Sequence, residues 1–265
     1  MRVVVVVTIL AFGLSGCALL DREGEGWTTY GPSVSLTAEE PFVPATRREG
    51  GSIVMPVTFP DGATAEVVYD PALRLAERGV RAWGSGGTGD APDRDFQAVR
   101  GVPLDDWIAG EAPIATYPGT DGGTVESWAT PDGEPAQRLV FRFGSWSVIM
   151  SDDGDAHGWA AGLRGRETEN GFLVLEGAGG LHLAAAGEHA GPHLMLGGTG
   201  AEFILLMPGW CDARNDRPTR SDGFGSSCLH AGGEDVAVHV YSDDRAFVDA
   251  VAAGLRIRGY TAARR

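Results

Sequence analysis

Lysine is absent from this chain. All 21 basic residues are Arg, set against 36 Asp and Glu, and the formal net charge is −15. The absence removes Ser-x-x-Lys chemistry outright, and G-x-S-x-G, the other common serine-nucleophile signature, does not occur either. Asn is nearly missing too, with only Asn170 and Asn215, while Gly and Ala abound. Together these biases read as GC-rich coding, since Arg codons can be GC-rich and Lys codons cannot. The acid excess disfavours nucleic acid and anionic polymers such as teichoic acids as partners, because like charge repels them. Also missing from the leader is an apolar run long enough to span a bilayer. Val3–Leu14 provides 12 residues, where a spanning helix needs ~20.

The start of the chain nevertheless carries a message. Arg2 precedes that apolar run, and the small residues Ser15 and Gly16 then lead to Cys17. A positive start, a short apolar core and a small-residue cleavage site describe a secretory signal. Leu14-Ser15-Gly16-Cys17 resembles the lipobox of bacterial lipoproteins. The resemblance implies cleavage before Cys17, residues 1–16 being the signal peptide, and diacylglycerol (palmitate-type) acylation of the Cys17 sulfur. Multiple acyl chains anchor stably where one is marginal. The expected location is the outer face of the cytoplasmic membrane.

Cysteine is scarce, with three in 265 residues. With Cys17 committed to lipid, Cys211 and Cys228 remain as an even pair in an oxidising compartment, which predicts a disulfide between them. The polar loop they enclose is of a length whose closure removes ~3 kcal/mol of unfolded-state entropy. The competing reading is two free thiols serving a metal, but no further thiolate or His flanks them at ligand spacing.

Residues 17–50 carry Gly, Pro and charge without an apolar period and read as lipidated Cys plus tether. A flexible chain of ~30 residues reaches roughly 30 Å. Residues 51–265 form the globular domain, with residue 130 as the candidate boundary of two subdomains. The 43% hydrophobic content and seven Trp suit a packed core. Three stretches share a plan of strand, tight turn, strand, acidic cap and helix. They are "SIVMPVTFPDGATAEVVYDPALRLAERGVR", "RLVFRFGSWSVIMSDDGDAHGWAAGLRGR" and "LHAGGEDVAVHVYSDDRAFVDAVAAGLRIR". Asp-Gly and similar pairs turn hairpins. The two "SDD" runs (151–153 and 242–244) are expected to cap helix N-termini, and Gly162 and Gly254 to end those helices in the left-handed conformation. "GFLVLE", "LHLAAA", "HLMLG" and "EFILLM" add strands at 171–176, 181–186, 193–197 and 202–207. The fold class predicted is α+β, mainly antiparallel sheet with three short helices and repeated ββα units.

Candidate chemistry is thin. "GSGGTG" at 84–89 has dinucleotide-loop spacing, but Pro92 stands where the helix should grow, so the stretch is expected to be a flexible loop. Asp152, Asp153 and Asp155 beside His157 suggest a calcium loop, but the bidentate Glu is missing. His189 and His193 stand four apart beside Glu188, yet Gly191 and Pro192 break any helix that would align them. His182 is the only further imidazole nearby. Trp83, Trp107, Trp128 and Trp146 are candidates to line a sugar or peptide cleft, with Trp146 better placed as core. No catalytic residue, metal ligand or cofactor is assigned.

"VTFPDGATAEVVYDP", "LVFRFGSWSVIM", "LRGRETENGFLVLE" and "EHAGPHLMLGG" together resemble a group of uncharacterised lipoproteins of high-GC Gram-positive (actinobacterial) bacteria. The resemblance spans most of residues 50–258 and implies no activity or site. The expectation is a lipid-anchored, extracytoplasmic, non-enzymatic module that binds a protein, peptide or small ligand at the cell surface. The alternative is an envelope hydrolase acting on wall or peptide substrates, and a third class is a structural accessory to a membrane transporter or sensor, with a membrane or envelope protein as the expected partner. Cys17→Ser is expected to abolish acyl labelling and to release the protein from membranes or leave it unprocessed. Retained lipid label in that variant refutes the anchor.

Overall fold

A computed structural model describes residues 41–263, apart from 90–92, 101–103, 105–106, 121–123, 132–136, 153, 189, 198–201, 211–218, 222–223 and 232–233. Residues 219–221, 224–231 and 234–235 are described through their backbone alone. The chain begins with β1 (Arg47–Glu49), β2 (Ser52–Thr58) and β3 (Thr64–Tyr69). The Asp61-Gly62 turn between β2 and β3 forms as its residues demand. Gly62 takes φ +90°, and the Asp61 side chain accepts the Ala63 N–H at 3.0 Å. Asp70 then caps as expected, accepting from the Ala72 N–H at 2.8 Å with Pro71 next in line. What it caps is shorter than expected: two 3-10 turns, Pro71–Leu73 and Ala76–Arg78, separated by Arg74 in the left-handed region.

The long central part is a run of strands. β4 (Val80–Thr88), β5 (Arg94–Arg100), β6 (Ala115–Pro118), β7 (Thr124–Ala129), β8 (Gln137–Phe143) and β9 (Trp146–Asp152) lead to helix α1 (Ala156–Gly162). β10 (Leu163–Glu167), β11 (Leu173–Gly177), β12 (Leu181–Leu183), β13 (His193–Leu196) and β14 (Phe203–Pro208) follow. β15 (Thr219–Ser221), β16 (Phe224–Ala231), β17 (Glu234–Tyr241), α2 (Arg245–Gly254) and β18 (Arg256–Thr261) complete the order.

All these strand pairings are antiparallel. They build a four-stranded sheet β1-β2-β3-β18, a β10-β11 ribbon and a large sheet β15-β16-β17-β14-β13-β4-β5-β9-β8-β7-β6, with β12 also on β4. The class is therefore α+β with mainly antiparallel sheet. Residue 130 falls between β7 and β8, which pair with each other inside the large sheet.

Period-two alternation turns one face of each sheet inward. Met55, Val57, Ala65 and Val67 of the small sheet join Ala82, Phe96, Val148, Leu206 and Val238 of the large one in a single core. Trp146 and Trp159, both at most 2% exposed, sit in that core, and α2 closes it with Val248 and Val251. Burying an aliphatic or Phe side chain of this kind is worth about 1.5–3 kcal/mol.

Two local expectations are corrected. "GSGGTG" is not a loop: Gly84 to Thr88 continue β4, and the glycines serve close approach. A methyl group on Gly84 would meet the Phe96 ring at 2.6 Å, and one on Gly86 would meet the His182 carbonyl oxygen at 2.4 Å. The first "SDD" is not a helix cap either. Ser151 and Asp152 are the last residues of β9, Asp153 lies outside the described residues, and Asp155 caps α1 by accepting the Gly158 N–H at 3.1 Å. The strand extends farther than the motif suggests because Ser151 and Asp152 remain in register with Arg138 and Gln137. In the other copy Asp244 caps α2, accepting the Ala246 N–H at 2.8 Å.

Gly162 and Gly254 do end their helices, but as the last helical residues and not in the left-handed conformation. Each helix passes straight into extended Leu163 or Leu255. Gly162 is small for contact, since a methyl there would lie 2.5 Å from the Leu181 Cβ. Gly254 has ordinary room around it.

The cap assignment predicts that Asp155→Ala lowers stability by about 0.5–2 kcal/mol. Asp152→Ala, which loses only the Gly154 N–H bond of a turn, is expected to cost less. Urea denaturation of the two variants distinguishes them, and an equal or reversed order refutes the assignment.

Candidate functional site

A cleft of about 690 Å³ opens where the two layers part. Its geometry follows from β4, which accepts two successive partners along one edge. β13 pairs with the first half of β4, from Val80 to Trp83, and β12 with the second half, from Gly86 to Thr88. The connection between them forms an arch, of which Ala184, Ala185, Glu188 and Pro192 line the cleft. It is pinned at its root by the Ala184 N–H on the Ser85 carbonyl at 2.9 Å. Within the arch the Glu188 carboxylate accepts the Ala185 N–H at 2.7 Å. Its return is tight, because a Cβ on Gly191 would stand 2.6 Å from the Ala185 carbonyl oxygen.

The opposite wall comes from the small sheet and the ribbon. Pro60 and Asp61 of the β2–β3 turn line it, and the Leu175 N–H donates to the Pro60 carbonyl at 2.7 Å, bringing β11 alongside. Phe96, Leu175, Leu181 and Leu183 supply apolar lining. Asp61, Glu176 and Glu188 supply carboxylates, and among the described lining residues His182 is the only basic one. Its Nε2 is hydrogen-bonded to Asp93 at 2.8 Å, both side chains about half exposed. His182 stands opposite Gly87. Asp93 immediately precedes the Arg94 that pairs with Gly86, so the pair closes across β4 at a rung with no side chain of its own. The cleft therefore offers apolar contact, anionic character and one carboxylate-held imidazole.

The other candidates lie elsewhere. Trp146 and Trp128 are buried in the core, with the Trp128 Nε1–H donating to Glu126 at 3.0 Å. Trp107 packs on the cluster of Val99, Trp128, Val140 and Ile149, and Trp83 on that of Met195, Leu205 and Met207. None of the four Trp lines the cleft. His193 is 4% exposed on β13, opposite Trp83. His189, Cys17 and Cys211 lie outside the described residues, and Cys228 is placed by its backbone on β16 opposite Ala237. His157 lies on α1 with its ring 6.2 Å from that of Tyr117. Among the described residues no group of three or more His, Cys, Asp and Glu is arranged to hold a metal ion.

Sequence reasoning missed Asp93 and Glu176 altogether and took Asp61 as a turn residue only. No local signal marks them, because their shared cleft exists only once β12 has found β4. Comparison with protein-family models, curated proteins and solved structures finds no match to this chain.

His239 belongs to the face of the large sheet turned away from the main core, opposite Leu205. Burial pushes its imidazole below the ordinary value of 6.5, because desolvation penalises the cation. The unfolded chain then takes up a proton at higher pH than the folded one. Stability is full above pH 6.5 and declines as the pH falls from there toward the depressed folded value. His239→Gln is expected to flatten this decline in denaturation curves recorded between pH 7.5 and pH 5. An unchanged slope refutes the linkage.

Proposed function

We propose that the protein is a lipid-anchored, extracytoplasmic binding module, held to the outer face of the cytoplasmic membrane through Cys17 and presenting the inter-layer cleft to a small ligand or short peptide. The anchor rests on the leader and its lipobox resemblance, and membership of the actinobacterial lipoprotein group on the resemblance across most of residues 50–258. The binding role rests on the cleft, whose 690 Å³ falls within the ~300–1,000 Å³ of ligand pockets. Its mix of aliphatic wall and a few polar groups is the composition such pockets have. In this reading the residues between Cys17 and the packed Phe42 tether the domain, the end of the expected 17–50 segment being taken up by β1, and a Cys211–Cys228 bridge ties the segment after β14 to β16. The module recruits its ligand, or a peptide segment of an envelope protein, without any cofactor.

A second reading, an envelope hydrolase acting on wall or peptide substrates, draws on the His182–Asp93 pair, since a carboxylate-held imidazole is the general base of many hydrolases. Binding is preferred because Ser85, the one hydroxyl among the described lining residues, is only 3% exposed. The strand–strand–helix–strand order recurs around the 3-10 turns, α1 and α2. We read it as an ancient ββα duplication, supported by two helices that both end on Gly before a buried Leu.

The test is ligand-observed NMR with a library of neutral fragments and short peptides. The protein is the processed chain carrying Cys17→Ser, compared with the same chain carrying Ala185→Trp, which narrows the cleft from a half-buried lining position. Binding that Ala185→Trp removes, with melting behaviour intact, is the expected result. Hits that bind the folded Trp variant equally well, or no hits at all, sink the cleft as the ligand site.

A further inference from the structure

Strand β4 carries two hydrogen-bond donors that no described residue satisfies. Arg81 and Trp83 lie on the face of the large sheet turned away from the main core, while Ala82 between them packs into that core. The Arg81 Nη1 and the Trp83 Nε1 are both buried, and no acceptor among the described residues meets either. The residues on the adjoining rungs explain why. Met195 stands opposite Arg81, and His193 and Gln97 flank Trp83 on its two sides. Continuing the β4–β5 register sets Val99 beside Arg81. None of these four is a carboxylate. Arg81 thus stands between two apolar clusters, that of Val99, Leu104 and Ile108 and that of Met195, Leu205 and Met207. Desolvation pulls the pKa of its guanidinium down, and no carboxylate offsets it. Other partly buried arginines are provided for: Arg78 has Glu202 at 2.7 Å and Arg100 has Glu167 at 2.9 Å.

A buried donor without an acceptor is costly, and one on a cation more so. We infer that Arg81 and Trp83 form a binding site for a small ligand carrying one carboxylate on an apolar body. The carboxylate accepts from the Arg81 Nη1 and the Trp83 Nε1–H, and the body packs on Met195 and the Trp83 ring. Residues two apart on a strand are separated by roughly 7 Å, close enough for both side chains to reach one carboxylate. A guanidinium gives that group paired, charge-assisted hydrogen bonds. A single positive charge suits a monoanion, whereas a phosphate dianion would be left half matched, and an inorganic anion would gain nothing from apolar flanks. Both side chains are partly exposed, so entry asks for rotation of the flexible arginine and not for unfolding of the strand. The site is independent of the cleft, which neither residue lines. In a chain of net charge −15 the surface as a whole repels anions, so retention of one reports a local exception.

The experiment uses the processed chain carrying Cys17→Ser, with phenylacetate as the probe and phenylacetamide as its neutral isostere. The Arg81 Nε–H and Trp83 Nε1–H resonances are followed by ¹⁵N NMR during titration at constant pH and ionic strength. Phenylacetate is expected to shift both resonances saturably, and phenylacetamide to bind at least about tenfold more weakly. Arg81→Gln is expected to weaken phenylacetate binding by a similar factor, and Ala185→Trp, which narrows the cleft, to leave it unchanged. Equal binding of acid and amide, an unmoved indole resonance, or full affinity in Arg81→Gln overturns the inference. Binding that Ala185→Trp abolishes overturns it as well, since that result puts the acid in the cleft. So does an absence of any phenylacetate binding. The comparison of acid with amide needs no substitution at the site, so it decides the matter even where Arg81→Gln does not fold.

Discussion

Strand β4 is the constraint on which the rest of this molecule depends. It pairs with β5 along one edge and with both β13 and β12 along the other, and it can do so because its second half has almost no side chains. The tip of the Phe96 ring fills the place of a Cβ on Gly84, and the β12 backbone fills that of a Cβ on Gly86. A Cβ on Gly84 would displace that ring, and one on Gly86 would push β12 away together with the cleft-lining Ala184 and Ala185 that follow it. Glycine weakens a strand when judged by propensity alone. Here the cost is offset by close packing, as when an aromatic ring covers a glycine on the neighbouring strand.

Electrostatics organises the two layers differently. On the outside of the small sheet, Arg47 and Arg258 share Glu66, and Arg258 also holds Glu49. These charges are largely exposed, so solvent screening leaves each pair worth little to stability. Arg258 is nonetheless held cationic well above the usual range by its two carboxylates. The cleft shows the opposite arrangement, carboxylates gathered without arginine among its described lining. Basic side chains are drawn into ion pairs elsewhere, such as Arg78–Glu202 and Arg100–Glu167.

The face of the large sheet turned away from the main core adds a second apolar layer. Val99, Val140 and Ile149 pack under Leu104 and Ile108, and Met195, Leu205 and Met207 with Trp83. Glu126 is buried there with the Trp128 Nε1–H as donor and Arg142 3.6 Å away. A charge so placed is tolerated because it is both paired and hydrogen-bonded.

What the sequence determined by itself is the local grammar: the Asp61-Gly62 hairpin, the Asp70 and Asp244 caps, the apolar strands at 173–177 and 203–208, and the antiparallel class. Each depends on residues a few positions apart, so short-range rules reach it. The same rules place the α1 cap two to four residues too early, because β9 stays paired through Asp152 and only a neighbouring strand can say so. They also turn the glycine run into a loop, since the ring and backbone that fill its missing side chains come from Phe96 and His182. The cleft belongs wholly to tertiary structure. His182 and Asp93 are 89 residues apart in sequence, and Asp61, Glu176 and Glu188 come from three separate turns and strand ends. Nothing within a residue's own neighbourhood encodes which strand will lie beside it, and that choice decides which carboxylates meet.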